Sequence, residues 1–134
     1  MQRIIIAGSR HMKDYNLMRN SWADYTRKHG LGKKVTIISE GARGADKLAE
    51  RLAKENGLRC EVMNADWKTY GRSAGPIRNA EMEKAAGTGG RLLAFLDRGS
   101  RGTASMIKQA QNAGLHVEVV RIVLEDDEAE QLTL

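Results

Sequence analysis

The sequence predicts an α/β fold, a three-layer sandwich built on a mainly parallel five-stranded sheet with helices on both faces. Short apolar runs alternate with segments of helical periodicity along the 134 residues, a pattern typical of parallel sheets. Two runs, 3–7 and 91–96, are continuously apolar, as expected of strands buried on both faces. Three loops that combine glycine, a small residue and arginine follow apolar runs, at 7–10, 41–46 and 98–103.

The first half of the chain predicts three strands and two helices. Strand 3–7 is followed by a helix that begins after a possible N-cap, Asp14. A second strand lies in 33–41, a second helix in 45–57, and a third strand, 58–63, alternates. The positions expected to face the core are Met18, Trp22, Tyr25 and His29 in the first helix, Leu48, Ala49, Leu52 and Ala53 in the second, and Leu58, Cys60 and Val62 in the third strand.

The second half predicts a polar connection, two helices and two strands. The connection is 64–74, and the helix after it has the chain's only proline, Pro76, in its first turn. Strand 91–96 precedes a helix with Met106, Ile107, Ala110 and Ala113 inward. The polar residues of 116–123 predict an edge strand.

The sheet order is expected to be 3-2-1-4-5, because this order makes neighbours of strands one, two and four. Ligands of such sheets bind beyond the carboxyl ends of the strands, where the strand order reverses. The three glycine–arginine loops then converge on one crevice. Because arginine suits phosphate and carboxylate groups, the crevice is expected to bind an anion.

Charge and composition support an anionic ligand. The net charge is +5, but the last ten residues, 125–134, carry five acidic and no basic residues. Residues 1–124 therefore contain 12 of the 17 acidic residues and all 22 basic residues, which gives them a net charge of +10. We therefore predict one domain, 1–124, followed by an acidic tail, 125–134. The single cysteine, Cys60, fits a reducing compartment, and a cytoplasmic location is expected. No apolar run is long enough to suggest a membrane partner.

The three loops supply a predicted phosphate cradle. Glycines let backbone N–H groups approach an anion, and the helix after 98–103 adds positive potential at its N-terminus. Thr103 can cap that helix and donate its hydroxyl to the anion. On the alternative interpretation Gly102 and Thr103 only form a turn and a cap, and Asp46 is only a first-turn residue that matches the dipole of the second helix. The predicted residues are Gly8, Ser9, Arg10, Gly41, Ala42, Arg43, Gly44, Asp46, Gly99, Ser100, Arg101, Gly102 and Thr103.

The polar connection and the helix after it supply further candidates, because a loop of this length is often functional. Trp67 or Tyr70 can stack on a base, although Trp67 can equally be a core residue under the loop. Asp66 can accept hydrogen bonds from a ribose or base, and Arg78 and Asn79 can contact a phosphate. Arg78 is expected to be exposed and dispensable for folding.

Other chemistries have no support in the sequence. The histidines His11, His29 and His116 lack acidic or cysteine partners at ligand spacing, so no metal is predicted. No nucleophile–histidine arrangement is evident. The glycine loops match neither the Walker A nor the G-x-G-x-x-G pattern.

Four segments together resemble a known family: "IIIAGSR", "EGARGAD", "ADWKTYGRSAGPIRNAEM" and "GSRGTASM". They occur in this order in small YspA-like proteins of the SLOG superfamily, which is named for DprA/Smf and the LOG enzymes. The resemblance covers roughly residues 3–120. It implies a Rossmann-like fold and a nucleotide-type ligand, with ADP-ribose- or NAD-related molecules among the expected ligands. Homo-oligomers and a phage or bacterial source are further implications.

One departure from the LOG enzymes bears on catalysis. Those enzymes hydrolyse nucleoside monophosphates with an arginine, which Arg78 matches, and a glutamate after the glycine loop, where this chain has Met106. Glu40 or Asp66 are candidate substitutes. The leading hypothesis is therefore a nucleotide-binding sensor or sequestering module that requires no cofactor. The alternatives are a LOG-like N-glycosidic hydrolase, with Arg78 and Asp66 as catalytic candidates, and a DprA-like nucleic-acid binder.

Overall fold

The computed structural model of the chain describes residues 2–124. The predicted acidic tail, 125–134, lies outside the described residues. The helices and strands of the described residues follow in the order β1 (Gln2–Gly8), α1 (Tyr15–Lys28), β2 (Val35–Ser39), α2 (Ala45–Glu55), β3 (Arg59–Val62), α3 (Trp67–Tyr70), a 3₁₀ turn (Gly71–Ser73), α4 (Ala74–Ala86), β4 (Arg91–Leu96), α5 (Arg101–Asn112) and β5 (His116–Arg121).

The five strands form one parallel sheet in the order β3-β2-β1-β4-β5, which confirms the predicted topology. The two continuously apolar strands, β1 and β4, pair with each other through Ile6 and Leu93. Their side chains are buried because helices cover both faces of the sheet. This burial explains why their sequences show no alternation.

The core has two halves, one on each face of the sheet. On one face Ile4 and Ile6 of β1 pack with residues of α1 and α2 such as Met18 and Leu52. On the other face Ile5 packs with residues of α4 and α5, including Met82 and Met106. Successive residues of a strand point to opposite faces, so a single strand contributes to both halves. Each fully buried side chain of this size stabilises the fold by roughly 1.5–3 kcal/mol.

Helix α1 begins as predicted. The side chain of Asp14 accepts a hydrogen bond from the backbone N–H of Leu17 at 3.0 Å, which satisfies one of the unpaired donors of the first turn. At the other end Arg27 and Lys28 lie in the last turn, where positive charge is favourable. Lys28 also pairs with Glu118 of β5 at 2.9 Å and so ties the helix to the sheet edge.

Three details differ from the sequence-based expectations. Val62 is 44% exposed, because β3 is the outer strand of the sheet and has a partner on one side only. The connection between β3 and α4 contains the short helix α3 and a 3₁₀ turn, so it is less irregular than predicted. Ala113 is exposed, because α5 ends at Asn112.

No helix within residues 2–124 is long and apolar enough to cross a membrane.

Candidate functional site

The loops after β1, β2 and β4 line one cavity of about 700 Å³ at the carboxyl edge of the sheet. The segments after β3 and the start of α4 complete its wall. The structure brings together thirteen of the predicted site residues in this wall: Gly8, Ser9, Arg10, Gly41, Ala42, Trp67, Arg78, Asn79, Gly99, Ser100, Arg101, Gly102 and Thr103.

Five predicted site residues lie off the cavity wall: Arg43, Gly44, Asp46, Asp66 and Tyr70. Arg43 and Tyr70 point into solvent outside the cavity. Asp66 is the N-cap of α3, where its side chain accepts a hydrogen bond from the N–H of Thr69 at 3.1 Å.

Gly44 has a packing role between two of the loops. Its φ is +74°, and a Cβ atom there would lie 2.2 Å from the backbone oxygen of Ser9. The next residue, Ala45, donates its N–H to the same oxygen at 3.0 Å. Only a glycine allows this contact, which holds the β1 and β2 loops together.

The cavity wall also contains residues that were not among the predicted ligand-binding residues, although Glu40 was named as a substitute for the LOG-type glutamate: His11, Glu40, Asn64, Ala65, Gly75, Pro76, Asp97 and Ser105. Glu40 and Asp97 are the two acidic residues of the wall among the described residues. Each directly follows a buried strand, β2 or β4, and this position at the carboxyl end of a strand is the signal that could have identified them.

One end of the cavity, which we call the β1–β4 end, is formed by Ser9, Asp97 and residues 99–103. The hydroxyl of Ser9 donates to the carboxylate of Asp97 and accepts from the N–H of His11 at 3.0 Å. The N–H of Gly99 donates to Asp97 at 2.7 Å. Burial would raise the pKa of Asp97, but hydrogen bonds, led by that of Ser9, outweigh it and hold this pKa below its ordinary value.

Helix α5 points its N-terminus at this end of the cavity. The helix begins at Arg101, and its N-cap, Ser100, makes no side-chain capping hydrogen bond. The predicted cap, Thr103, lies inside the first turn, so that prediction is wrong. A Cβ atom on Gly102 would meet no atom within 4 Å. This first turn therefore combines positive potential with open space.

The other side of the cavity, toward β3, is formed by Glu40 and Arg78, with Asp46 buried behind them, and we call it the β2–α4 end. Arg78 of α4 forms an ion pair with Glu40, and the two side chains are only 12% and 17% exposed. The guanidinium also donates to Oδ1 of Asn79 at 3.1 and 3.2 Å, while the amide of Asn79 donates to Gln109 of α5 at 3.0 Å. These contacts hold the Arg78 head group in place, so its predicted exposure is wrong.

Asp46 lies behind Glu40, in the first turn of α2, and is completely buried. Neither of its carboxyl oxygens has a hydrogen-bond partner among the described residues. Burial, together with the nearby Glu40 carboxylate, raises the pKa of Asp46 to about 9. Asp46 is therefore neutral at pH 7, which contradicts the alternative interpretation that its charge matches the dipole of α2.

An aromatic side chain closes the wall beside this end. Trp67 lines the cavity but is 59% exposed, so it is not a core residue. A Cβ atom on Gly75 would lie 3.3 Å from its indole ring, which shows how closely α4 approaches one side of the ring. Its other surfaces are accessible to a flat ligand.

Met106, which occupies the position of the glutamate in LOG enzymes, does not line the cavity. Met106 is 2% exposed and packs in the core between α5 and the sheet, whereas its neighbour Ser105 lines the cavity. Within residues 2–124 no group of three or more His, Cys, Asp or Glu side chains is arranged to hold a metal ion.

An open parallel sheet with this cavity at the ends of its central strands defines a Rossmann-like α/β domain. Its sequence places it more closely: the chain belongs to the YspA, cpYpsA-related SLOG family (YAcAr), whose family model matches residues 2–70. It is also 36% identical over 122 residues to the Gene 61 protein of Mycobacterium phage D29, an alignment that covers 87% of this chain and 94% of the phage protein. No solved structure matches the chain significantly.

Proposed function

We propose that the cavity binds a phosphorylated nucleotide or nucleotide derivative, and that the protein acts as a sensor or sequestering module for it. The observation that carries this proposal is the convergence of three loops and the uncapped α5 N-terminus on one cavity. A helix N-terminus with small residues around it favours a phosphate. The cavity volume of about 700 Å³ is within the range of small-molecule sites.

The charges of the wall support the same ligand class. Three arginines, Arg10, Arg78 and Arg101, face two carboxylates, Glu40 and Asp97. Arg78 is paired with Glu40, and Asp97 is surrounded by hydrogen-bond donors. Exposed Arg10 and Arg101 therefore give the β1–β4 end a positive balance that suits phosphate.

A thermal-shift panel of nucleotides tests the proposal. AMP, ADP, ADP-ribose and NAD are added to the full chain, because adenosine-containing and ADP-ribose-related ligands are the form of the proposal that family membership favours. A ligand at 100 times its Kd stabilises the folded state by about 2.7 kcal/mol, which raises Tm on the order of 5–10 °C. Single-stranded DNA is the comparison: a shift with DNA and with no nucleotide contradicts the proposal.

A second candidate function is hydrolysis of a nucleotide N-glycosidic bond. The observation that favours it is the Glu40 carboxylate on the cavity wall beside Arg78, because a carboxylate can stabilise positive charge on the sugar or accept a proton from water. Asp66, the other candidate, caps α3 away from the cavity. Chromatographic detection of free base from AMP, abolished by Glu40→Gln, would establish this function in place of simple binding.

A further inference from the structure

The sheet order places the groups of the cavity wall in a fixed sequence along its edge. Asn64, Ala65 and Trp67 follow β3, Glu40 follows β2, Ser9 and Arg10 follow β1, and the α5 N-terminus follows β4. Neighbouring parallel strands lie about 4.8 Å apart. Glu40 is therefore intermediate between an aromatic ring at one side and the phosphate-type site at the other.

The parts of a nucleotide have the same order. The base is joined to the sugar, and the sugar to the phosphate, so a base stacked on Trp67 with a phosphate at α5 leaves the sugar beside β2. The carboxylate that directly follows β2 is Glu40. In dinucleotide-binding Rossmann domains, an acidic side chain likewise accepts a hydrogen bond from a ribose hydroxyl.

Glu40 also retains hydrogen-bonding capacity beyond its ion pair with Arg78. Asp97 already accepts hydrogen bonds from Ser9 and Gly99, on both of its carboxylate oxygens. Glu40 is held through Oε2 by Nη2 of Arg78. A carboxylate offers about four lone-pair sites, so this ion pair orients the group and leaves positions for further donors.

Glu40 has its counter-charge within the cavity wall, because both Glu40 and Arg78 line it. Arg78 of α4 supplies a fixed positive charge, and the buried carboxyl of Asp46 on α2 retains its proton because its pKa is raised to about 9. The carboxylate that pairs with Arg78 is therefore the one that faces the cavity. Charged acceptors form the stronger hydrogen bonds.

We propose that Glu40 is the specificity-determining residue of the cavity and accepts hydrogen bonds from the ribose 2′- and 3′-hydroxyls, so that the site selects ribonucleotides over deoxyribonucleotides. Arg78 is its positioning residue. The inference rests on the proposed nucleotide-binding function and adds the sugar that the site takes.

The test compares matched sugars on the full-length chain. The probes are ADP, GDP, CDP and UDP with their 2′-deoxy and 2′,3′-dideoxy counterparts, and Kd is measured by calorimetry. Loss of hydrogen bonds to a charged acceptor predicts that dideoxy compounds bind roughly ten-fold or more weakly than the ribonucleotides. In Glu40→Gln this discrimination is expected to fall to a few-fold, with the dideoxy affinity little changed.

The matched control is Glu81→Gln, an exposed glutamate on α4 that is not part of the cavity wall and should discriminate like the parent. If Glu40→Gln does not fold, Glu40→Asp replaces it as the test. Its side chain is shorter by one methylene, so the carboxylate is drawn back from the sugar, and the ratio of dideoxy to ribonucleotide Kd must also fall. Equal affinity of the parent for ribo- and dideoxynucleotides would overturn the role of Glu40 and leave nucleotide binding intact. Absence of binding by every nucleotide would overturn both.

Discussion

Two aspartates, Asp97 in the cavity wall at one end and Asp46 buried behind the wall at the other, have pKa values shifted in opposite directions. At the β1–β4 end Asp97 is charged, because Ser9 and Gly99 donate hydrogen bonds to it and hold its pKa below the ordinary value. At the β2–α4 end Asp46 is completely buried beside Glu40, and burial raises its pKa to about 9. The protonation state of an aspartate thus depends on its burial and its hydrogen-bond donors. The charge in and around the cavity therefore cannot be obtained by counting acidic residues.

The largest expected effect is at the β2–α4 end. Arg78→Ala leaves Glu40 largely buried without its counter-charge, so the free energy of unfolding should fall by about 3 kcal/mol. Urea unfolding at pH 7 measures it. Arg78→Lys, which keeps the charge, should lose much less. A loss below about 0.5 kcal/mol in Arg78→Ala would contradict this expectation, because it would mean that the ion pair contributes no more than a solvent-exposed salt bridge.

At the β1–β4 end the corresponding change is Asp97→Asn. It removes a charged acceptor from Ser9 and Gly99, and the expected loss is about 2 kcal/mol at pH 7. Because the folded-state pKa is below the ordinary 3.8, the stabilisation is present above pH 3.8 and is lost as the pH falls through the lower folded-state value. The stabilities of parent and variant should therefore converge as the pH falls below 3.8, and a gap that stays constant with pH would contradict the assignment.

Asp46→Asn should show the opposite dependence on pH. The pKa of Asp46 is 3.8 in the unfolded chain and about 9 in the folded protein. Between these pH values Asp46 is ionised in the unfolded chain and must take up a proton on folding, so the free energy of unfolding of the parent falls as the pH rises. The limiting slope is about 1.4 kcal/mol per pH unit. The variant has no proton to lose, so its stability relative to the parent should increase from pH 5 to pH 8. Parallel curves over that range would mean that Asp46 is ionised in the fold.

The smallest effect on folding is expected at Trp67, beyond the β2–α4 end. Because the side chain is 59% exposed, Trp67→Ala should change the free energy of unfolding by less than about 0.5 kcal/mol. Nucleotide affinity should nevertheless weaken by about 1–3 kcal/mol if a base stacks on the ring. Tyr70→Ala is the matched control, since that aromatic residue is similarly exposed but outside the cavity. Equal losses of affinity in the two variants would remove Trp67 from the site.

The sequence was sufficient to predict the fold because its signals are local or compositional. Burial on both faces makes β1 and β4 continuously apolar, and the side chain of Asp14 identifies the start of α1. It failed where one residue's environment depends on distant parts of the chain. Val62 fits the alternating pattern of a half-buried strand but is exposed, because β3 is at the edge of the sheet. Helix α3 has only four residues and is too short to show helical periodicity.

The site was predictable to the level of its loops and not of its charges. Glycine and arginine after three strands indicated the convergence that the cavity shows. The ion pair of Arg78 with Glu40 joins segments 38 positions apart, and the burial of Asp46 depends on packing around α2. Thr103, a plausible cap by composition, lies one turn too late because α5 begins at Arg101. Side-chain partners of this kind follow from tertiary structure, which a single sequence does not display.

The central claim is that the two ends of the cavity bind one nucleotide between them, and titration of ¹⁵N-labelled protein with ADP tests it most directly. The backbone amides of residues 99–103 and those of 40–42 should shift together and give one common Kd, while amides of Gly32 and its neighbours, outside the cavity, stay unchanged. Shifts confined to one end, two different Kd values, or no shift at millimolar ADP would contradict the claim.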